Sequence, residues 1–392
     1  MTTSPKALRS FFQAQVRFLV SEGFDVHTIS SPGTELDEFR CNVSVPTHEI
    51  AMQRRISPFA DLLALLRLFR KLRRLRPAIV HTHTPKAGLL GMLAAWMARV
   101  PIRVYTINGL RFTTCLGLRR AVLTAADKLG CRLATSVLCV SDSLRQQAVA
   151  LGVCPAFKVR TLGHGASHGV DTHTFDPDRR NSVDRGRIRS VYGLPHDAVV
   201  LSYIGRIVRD KGIAELSAAW RVLREEFPDL RLFLCGTAEP EDPLSPEVVR
   251  TLRDDSRVCF TDETLGDMPA VYAASDVCVL PSYREGLPNV ALESQAMRVP
   301  IVATRISGTI DAVKDGVTGF LVEPRDAAAL VTALRLLIRD GQIRSRMGAA
   351  GREFVSERFL EQRLSELLAR EYRRLLAGGC ALTRQQDAQK GC

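Results

Sequence analysis

Several features that mark particular classes of protein are scarce in this sequence. Aromatic residues make up only 6% of its 392 residues, with two tryptophans, and it has no RNA-binding motif. Single-stranded nucleic acid is bound largely by stacking bases on aromatic side chains. We therefore predict no nucleic-acid partner. The net charge of +12 still favours anionic ligands such as phosphorylated substrates or acidic lipid.

The ten cysteines form no C-x-x-C pair, and most of them lie in apolar runs. This pattern is typical of buried, reduced thiols in a cytosolic protein rather than of a zinc site. His81 and His83 stand two residues apart, but neither a carboxylate nor a third ligand is near them in the sequence. We therefore predict that the protein binds no metal.

No apolar run reaches the roughly 18 residues of a transmembrane helix. Residues 11–20 are interrupted by Gln13, Gln15 and Arg17, so they do not form the apolar core of a signal peptide. We expect a cytoplasmic protein that makes at most peripheral contact with the inner face of the plasma membrane.

What the sequence does contain is a long alternation of apolar strand-like segments and helical segments. The chain is long enough for two domains, and its 46% hydrophobic and 24% charged residues are typical of globular proteins. The alternation restarts after residues 165–195. The pattern predicts an α/β protein with two doubly wound domains.

Residues 281–293, PSYREGLPNVALE, are the most informative stretch. An apolar strand leads into a loop with an acid at Glu285, and Pro288 is predicted to open a helix that carries Glu293. Free amides at a helix start favour an anion such as a diphosphate, so we predict a cradle formed by Gly286, Leu287, Pro288 and Asn289. On spacing alone, the stretch could equally be an ordinary strand-loop-helix unit with surface acids.

The full string PSxxEGxPxxxLE resembles the E-x7-E signature of the retaining GT-B glycosyltransferases of family 4 (group 1). The resemblance covers nearly the whole chain and is to the bacterial branch that builds capsule, exopolysaccharide and lipid-linked glycans. It implies two Rossmann-like domains facing across a cleft. It also implies a nucleotide-sugar co-substrate, most often UDP-linked, and a polyprenyl-linked or glycan acceptor.

The resemblance assigns roles to four residues of the second half. Glu285 is expected to act at the donor sugar as the catalytic residue, and Glu293 to hold the ribose hydroxyls. In the segment GRIVRDKG at residues 205–212, Arg206 and Lys211 are expected to clamp the donor diphosphate. Arg206 can fork onto two phosphate oxygens and Lys211 adds a point charge, so a metal becomes unnecessary.

The first half is expected to hold the acceptor. Lys86, Asn108 and Arg111 follow strand-like segments and are the candidate acceptor or cleft residues. Many resembling enzymes have a histidine at the position of Asn108. Because asparagine cannot carry a proton or a charge, either this branch does not need the histidine or the enzyme is weak.

The expected domain organisation follows from these assignments. An acceptor-binding domain spans residues 1–175, a linker 176–195 and a nucleotide-sugar-binding domain 196–357. A helix at 358–376 crosses back to the first domain, and a tail follows at 377–392.

The beginning of the sequence departs from the pattern of a doubly wound domain. Residues 7–21 predict one amphipathic helix and residues 24–30 a strand, so the strand that usually opens such a sheet is missing. We hypothesise that the true start lies upstream or that the chain is a truncated copy.

A basic helix is predicted at residues 61–76, DLLALLRLFRKLRRLR. We expect Leu62, Leu65, Leu66 and Phe69 to be buried. The cations at 66–76 are either a solvated face or a contact with anionic membrane lipid.

Two other functions compete with glycosyl transfer. A nucleotide-sugar epimerase on the same architecture would need no acceptor. A non-catalytic or truncated paralogue would bind sugar nucleotide without transferring the sugar.

Overall fold

A computed structural model of the chain describes residues 1–53, 57–166, 168–179, 182–239, 242–263 and 265–390. The chain divides into two compact units. Unit 1 comprises Met1–His168 and Glu361–Cys392, and unit 2 comprises Gly169–Leu360. Both units are built on parallel strands, which confirms the predicted α/β class.

Unit 1 contains a two-stranded and a four-stranded sheet, both parallel. The first pairs β1 with β2, and the second has the order β3-β4-β5-β6. The strands are β1 Thr28–Ser30, β2 Thr47–Glu49, β3 Ile79–Thr82, β4 Ile102–Ile107, β5 Ser136–Cys139 and β6 Val159–Thr161. The predicted strand at 24–30 is thus shorter than expected.

A gap separates β1 of the two-stranded sheet from β3 of the four-stranded sheet. The strand that usually opens a doubly wound sheet would lie in this gap. Met1 and Thr2 occupy the end of this gap: the Met1 amine donates to His81 O at 2.7 Å, and Thr2 N donates to Ile29 O at 3.1 Å. Beside them is a cavity of about 480 Å³ whose lining includes Val16, Leu19 and Ile79. Within the described residues, therefore, β1 pairs with β2 on one side and β3 pairs with β4 on one side. The opposite edges of β1 and β3 face this gap.

Seven α-helices lie in the described part of unit 1 before β6: two precede β1 and five connect the strands. They are α1 Pro5–Phe11, α2 Gln13–Ser21, α3 Thr34–Asn42, α4 Pro58–Leu75, α5 Pro85–Met97, α6 Gly117–Leu133 and α7 Asp142–Ala150. The single helix predicted at 7–21 is wrong. Two helices, α1 and α2, meet at Phe12, whose φ of −115° departs from the α-helical value of about −63°. The ring of Phe12 is buried against His83.

The buried face of α4 also differs from the prediction. The helix buries Ala64, Leu68 and Leu72, spaced four residues apart. Leu62 and Leu66, which we expected in the core, are exposed, and Leu65 and Phe69 are only half-buried. Leucines occur on more than one side of this helix, so their spacing alone does not identify the face that packs.

Unit 2 is a six-stranded parallel sheet with the order β12-β11-β10-β7-β8-β9. Its strands are β7 Val200–Ile204, β8 Arg231–Cys235, β9 Val258–Phe260, β10 Val277–Leu280, β11 Ile301–Thr304 and β12 Gly319–Val322. From β7 the chain adds β8 and β9 on one side of the sheet, and it then returns to add β10, β11 and β12 on the other side. This is the strand order of a dinucleotide-binding fold, whose ligands bind where the direction reverses.

Eight α-helices in the described part of unit 2 cover the sheet and complete the core around Trp220. They are α8 Ser182–Val191, α9 Ile213–Glu226, α10 Pro246–Arg253, α11 Met268–Ala273, α12 Asn289–Ala296, α13 Thr309–Ala312, α14 Ala327–Arg339 and α15 Gly341–Arg358. The inner strands are almost continuously apolar and buried, as parallel strands covered on both faces must be.

A buried ionic cluster fixes the start of β10, the strand that leads into the candidate site. Asp276 accepts from Arg185 at 2.8 Å and from Arg189 at 2.7 Å, both on α8, and from the backbone N–H of Val200 at 2.8 Å. Arg189 is only 1% exposed. Removing one partner from such a cluster would leave a buried charge uncompensated.

The last helix, α16 Glu361–Lys390, packs on α2 of unit 1. Its Tyr372 donates to or accepts from His81 Nδ1 at 2.6 Å. Over the described ranges, the chain has no helix with the length and apolar character needed to cross a bilayer.

Candidate active site

The candidate site of unit 2 lies at the carboxyl ends of β7 and β10, which are neighbours at the reversal point of the sheet. The loop after β7 carries Arg206 and Lys211, and the loop after β10 carries Glu285. Residues that are about 75 positions apart in sequence are therefore held on adjacent loops, because the two strands are hydrogen-bonded side by side.

The two loops are in close contact. Gly212 has φ +69°, and a β-carbon there would collide with the carbonyl oxygen of Pro281. Tyr283 N donates to Asp210 O at 2.9 Å, and Arg284 pairs with Asp210 at 2.7 Å. Burial tends to raise the pKa of Asp210, but Arg284 and neighbouring cations hold it below its ordinary value. The site is thus built on a fixed pair of loops.

Lys211 and Glu285 form an ion pair inside this site. Their Nζ and Oε1 atoms are 2.5 Å apart, and the side chains are 15% and 12% exposed. The predicted diphosphate cation and the predicted catalytic carboxylate are therefore in direct contact. A diphosphate that approaches Lys211 must compete with Glu285.

Arg206 also has a carboxylate partner. It pairs with Glu239 at 2.7 Å, while its backbone carbonyl accepts a 2.6 Å hydrogen bond from the hydroxyl of Tyr203. Glu239 follows β8, the strand next to β7, and we did not predict it. Its sequence position gives no signal, because the contact depends on the order of the strands.

The second acid of the motif, Glu293, lies in α12. That helix begins at Asn289 with Pro288 as its N-cap, so the prediction of Pro288 as the first helical residue is wrong by one position. Pro288 has ψ 115°, which is extended rather than helical. The first-turn amides of α12 begin at Asn289, directly after Pro288, in the stretch where we predicted the cradle.

Glu293 accepts a 2.8 Å hydrogen bond from the hydroxyl of Tyr272. Burial raises the pKa of Glu293 to about 7, against the lowering effect of the Tyr272 hydrogen bond. Tyr272 itself is fully buried in α11. We did not predict this contact of Tyr272, which is 21 residues from Glu293 in the sequence.

Several buried polar atoms around the two loops have no hydrogen-bond partner among the described residues: Asp210 Oδ1, Ser282 Oγ and Asn289 Oδ1. Buried polar atoms are rarely left unsatisfied unless a ligand, an ion or water completes them. Their clustering at the ends of β7 and β10 supports a polar ligand there.

The candidate acceptor residues all follow β3 or β4 in unit 1. Lys86 Nζ lies 2.8 Å from Asp61 Oδ1. Asn108 donates from Nδ2 to the backbone carbonyl of His83. Arg111 is exposed in a single 3-10 turn, Arg111–Thr114. The structure therefore brings Asn108 next to His83, one of the two histidines for which we predicted no metal.

The two histidines of this region are neutral. His81 is hydrogen-bonded at both ring nitrogens, to Tyr372 and to Thr106 at 2.6 Å each, and burial lowers its pKa to about 3. Burial and the neighbouring His81 lower the pKa of His83, whose Nδ1 has no hydrogen-bond partner in the part of the chain that the structure describes. Among the described residues, no group of three or more His, Cys, Asp or Glu is placed to hold a metal ion.

Comparison with known proteins places this geometry in a family. The family model for "Glycosyl transferases group 1" matches residues 184–354, and that for "Glycosyl transferase 4-like domain" matches residues 8–165. The capsular polysaccharide biosynthesis glycosyltransferase CapM of Staphylococcus aureus is 33% identical over 364 residues, 93% of this chain and 93% of CapM. The chain therefore belongs to the group 1 (family 4) glycosyltransferases, as its E-x7-E motif predicted, and it is a glycosyltransferase.

Three further proteins extend this result. An Escherichia coli UDP-Gal:alpha-D-GlcNAc-diphosphoundecaprenol alpha-1,3-galactosyltransferase is 28% identical over 328 residues, 82% of this chain and 81% of that enzyme. The solved structure of Anabaena Alr3699/HepE in complex with UDP and glucose has a TM-score of 0.78 at 19% identity, covering 95% of this chain and 98% of its own. WaaG, a glycosyltransferase involved in lipopolysaccharide biosynthesis, has a TM-score of 0.69 at 15% identity, covering 91% and 94%. These structures confirm the expected GT-B fold class.

Proposed function

We propose that this glycosyltransferase moves a sugar from a UDP-sugar to a lipid-linked or polysaccharide acceptor in cell-surface glycan synthesis, with retention at the anomeric carbon. The observation that carries the proposal is the contact between Lys211 and Glu285 at the reversal point of the unit 2 sheet. The 33% identity to a capsular enzyme supports the class of product. The named activity of the galactosyltransferase relative supports the UDP donor and the lipid-linked acceptor.

The chemistry assigned to unit 2 follows from charge and position. Arg206, Lys211 and the amides that follow Gly286 neutralise the two phosphates of the donor as the bond between the anomeric carbon and the phosphate oxygen breaks. Glu293 accepts hydrogen bonds from the ribose hydroxyls. Two cations and a helix start supply the positive charge, so we propose that the reaction needs no metal.

Glu285 acts on the sugar itself. In the resting structure its carboxylate is bound to Lys211. When the diphosphate takes Lys211, the carboxylate is released to bind sugar hydroxyls and to stabilise positive charge at the anomeric carbon. The acceptor oxygen then forms the new bond on the same face, and its proton passes to the leaving phosphate.

We place the acceptor in unit 1, near Asn108 and Arg111. Arg111 suits a phosphate on the acceptor because a guanidinium can bind two oxygens at once. The proposal also includes a cytoplasmic location and a peripheral contact with anionic membrane through residues 66–76.

The test is a transfer assay with a panel of UDP-sugars and a polyprenyl-diphosphate-linked saccharide, run with and without EDTA. We expect one donor to give a product whose anomeric configuration, read by NMR, is that of the donor, and we expect EDTA to have no effect. An inverted product would refute retention, and loss of activity in EDTA would refute metal independence. Conversion of the donor to an epimer without acceptor would favour the epimerase instead.

A further inference from the structure

A wide, strongly basic depression lies at the amino-terminal edge of the four-stranded sheet in unit 1. It has a volume of about 620 Å³, and its cationic lining residues are Lys128, Arg132, Lys158, Arg160 and Arg374. No Asp or Glu is among the described residues that line it. A depression of this size is suited to an organic ligand rather than to a single inorganic ion.

This basic depression is distinct from the candidate acceptor residues of the same unit. It is lined by Ser136 at the start of β5 and by Lys158 just before β6. Lys86, Asn108 and Arg111 instead follow the carboxyl ends of β3 and β4. Because the four strands are parallel, their amino ends lie at one edge of the sheet and their carboxyl ends at the other. The basic depression is therefore separate from the place proposed for the acceptor.

The fold accounts for only part of this positive charge. Lys158 Nζ donates to the backbone carbonyl of Arg132 at 2.9 Å, which satisfies an otherwise free carbonyl in the last turn of α6. Glu371 of α16, which is 6% exposed, pairs with Arg374 at 2.8 Å and with Arg160 at 3.4 Å. Among the described residues, the five lining cations are thus matched by one carboxylate, which leaves a surplus of four positive charges.

The basic depression also has an apolar side. Phe157 is 87% exposed, and it lines the depression together with Pro155 and Leu375. The face of an aromatic ring carries partial negative charge, which suits the C–H groups of a sugar ring. An exposed ring that lies among several cations is therefore suited to a ligand that carries both sugar rings and negative charges.

An acidic sugar chain fits this combination better than other anions do. Single-stranded nucleic acid is bound by several stacking aromatic side chains, whereas Phe157 is the one aromatic residue among the described residues of this lining. A bilayer is contacted by protruding amphipathic helices, whereas these cations line a concave surface. A chain of sugars with carboxylates presents C–H faces and spaced negative charges along one molecule.

We propose that the basic depression binds an acidic oligosaccharide, with sugar carboxylates paired to Lys128, Arg132 and Arg374 and one sugar ring stacked on Phe157. The inference rests on the proposed function, because a glycan is the product of such an enzyme. It gives unit 1 a second glycan-binding site, which holds an anionic chain away from the candidate acceptor residues.

The test is calorimetric titration of the full chain with trigalacturonate, a trisaccharide that has a carboxylate on each ring. Maltotriose is the neutral control of equal length, and no nucleotide is present. We expect trigalacturonate to bind with a Kd below about 1 mM and to bind about tenfold or more weakly at roughly half-molar salt. Equal affinity for the two trisaccharides, or no binding of trigalacturonate at about 1 mM, would overturn the proposal.

Matched variants locate the binding. Lys128→Gln/Arg132→Gln should weaken trigalacturonate binding about fivefold or more, and Phe157→Ala about threefold or more. Arg119→Gln/Arg120→Gln makes the same change in charge near the start of the same helix and should bind as the wild type does. All five side chains are exposed, so each variant should keep the wild-type Tm. Equal weakening by the two double variants would show that only the overall charge matters, and the proposal would fail.

Competing ligands complete the test. Inorganic phosphate or UMP that binds as tightly as trigalacturonate would make the basic depression a simple anion or nucleotide site. Flotation with vesicles of phosphatidylcholine and phosphatidylglycerol that Lys128→Gln/Arg132→Gln abolishes would make it a lipid surface, and displacement of trigalacturonate by UDP would make it part of the donor site. Each of these results would overturn the proposal.

A transfer assay separates this proposal from the proposed function. Transfer to a short neutral acceptor should be unchanged in Lys128→Gln/Arg132→Gln, because neither residue belongs to the candidate active site. Binding of trigalacturonate by a wild-type protein that transfers no sugar would refute the proposed function and leave the second glycan-binding site standing.

Discussion

Replacing Glu285 by glutamine should separate catalysis from nucleotide binding in this enzyme. The carboxylate lies 2.5 Å from Lys211, with both side chains largely buried. Breaking a fully buried pair costs about 3–5 kcal/mol and breaking a surface pair about 0–1 kcal/mol. We therefore expect Glu285→Gln to lower the free energy of unfolding of unit 2 by about 2 kcal/mol, which lowers Tm by roughly 4–8 °C.

The same substitution should strengthen UDP binding. In the wild type, a diphosphate must displace Glu285 from Lys211, whereas glutamine offers no competing charge. We expect the Kd for UDP to fall about threefold to tenfold, close to 1 kcal/mol. Sugar transfer should fall by about 10²–10³-fold, because the group that stabilises charge at the anomeric carbon is lost.

Three measurements on one protein preparation check this prediction: calorimetric titration with UDP, thermal unfolding with and without UDP, and initial rates of transfer. Because the variant is expected to bind UDP more tightly, saturating UDP should reduce the difference in Tm between Glu285→Gln and the wild type. Glu226→Gln is a suitable control because it breaks ion pairs of the same unit with Arg335 and Arg339, away from the loops. If Glu285→Gln lost UDP binding and transfer to the same extent, the division of roles between Lys211 and Glu285 would be wrong.

Three other predictions follow from the structure. Burial raises the pKa of Glu293 to about 7, so between about pH 4.5 and 7 the folded state keeps a proton that the unfolded chain releases, and stability falls as pH rises through this window. We expect Glu293→Gln to remove that slope. We also expect calorimetry to show that UDP binding by the wild type weakens below pH 7 and that Glu293→Gln abolishes this pH dependence. Glu239→Gln should tighten UDP binding about twofold to fivefold by releasing Arg206, and Asp242→Asn, which frees the more distant Arg209, should leave the Kd unchanged. Fusing an apolar tetrapeptide ahead of Met1 should raise Tm by several degrees in thermal unfolding by filling the cavity between β1 and β3, whereas a Gly-Ser extension of equal length should not.

The sequence predicts those site residues that belong to short sequence motifs directly after a strand. Arg206 and Lys211 follow one apolar strand, and Glu285 follows another. Carboxyl ends of neighbouring parallel strands share an edge, so motif and fold class together predict that these loops meet. The direct contact of Lys211 with Glu285 was not predicted, because it depends on the resting geometry of two loops.

The parts that sequence reasoning missed depend on tertiary contacts between distant elements. Tyr272 reaches Glu293 from α11, and Glu239 reaches Arg206 from the loop after β8. Neither residue belongs to a motif with a recognisable spacing. The N-terminal helix pair and the packing face of α4 were predicted wrongly for a related reason: apolar spacing shows that a helix is amphipathic, but neighbouring elements decide which apolar residues are buried.

Thermal unfolding of the purified chain with UDP, GDP, ADP, CDP or no ligand tests whether the loops after β7 and β10 bind the donor nucleotide. A nucleotide at about 100 times its Kd stabilises the folded state by roughly 2.7 kcal/mol, a shift of several degrees. We predict a cooperative unfolding transition whose Tm rises with UDP in the wild type but not in the Lys211→Ala variant. A cooperative transition that no nucleotide moves would contradict the assignment of the loops after β7 and β10 as the donor site.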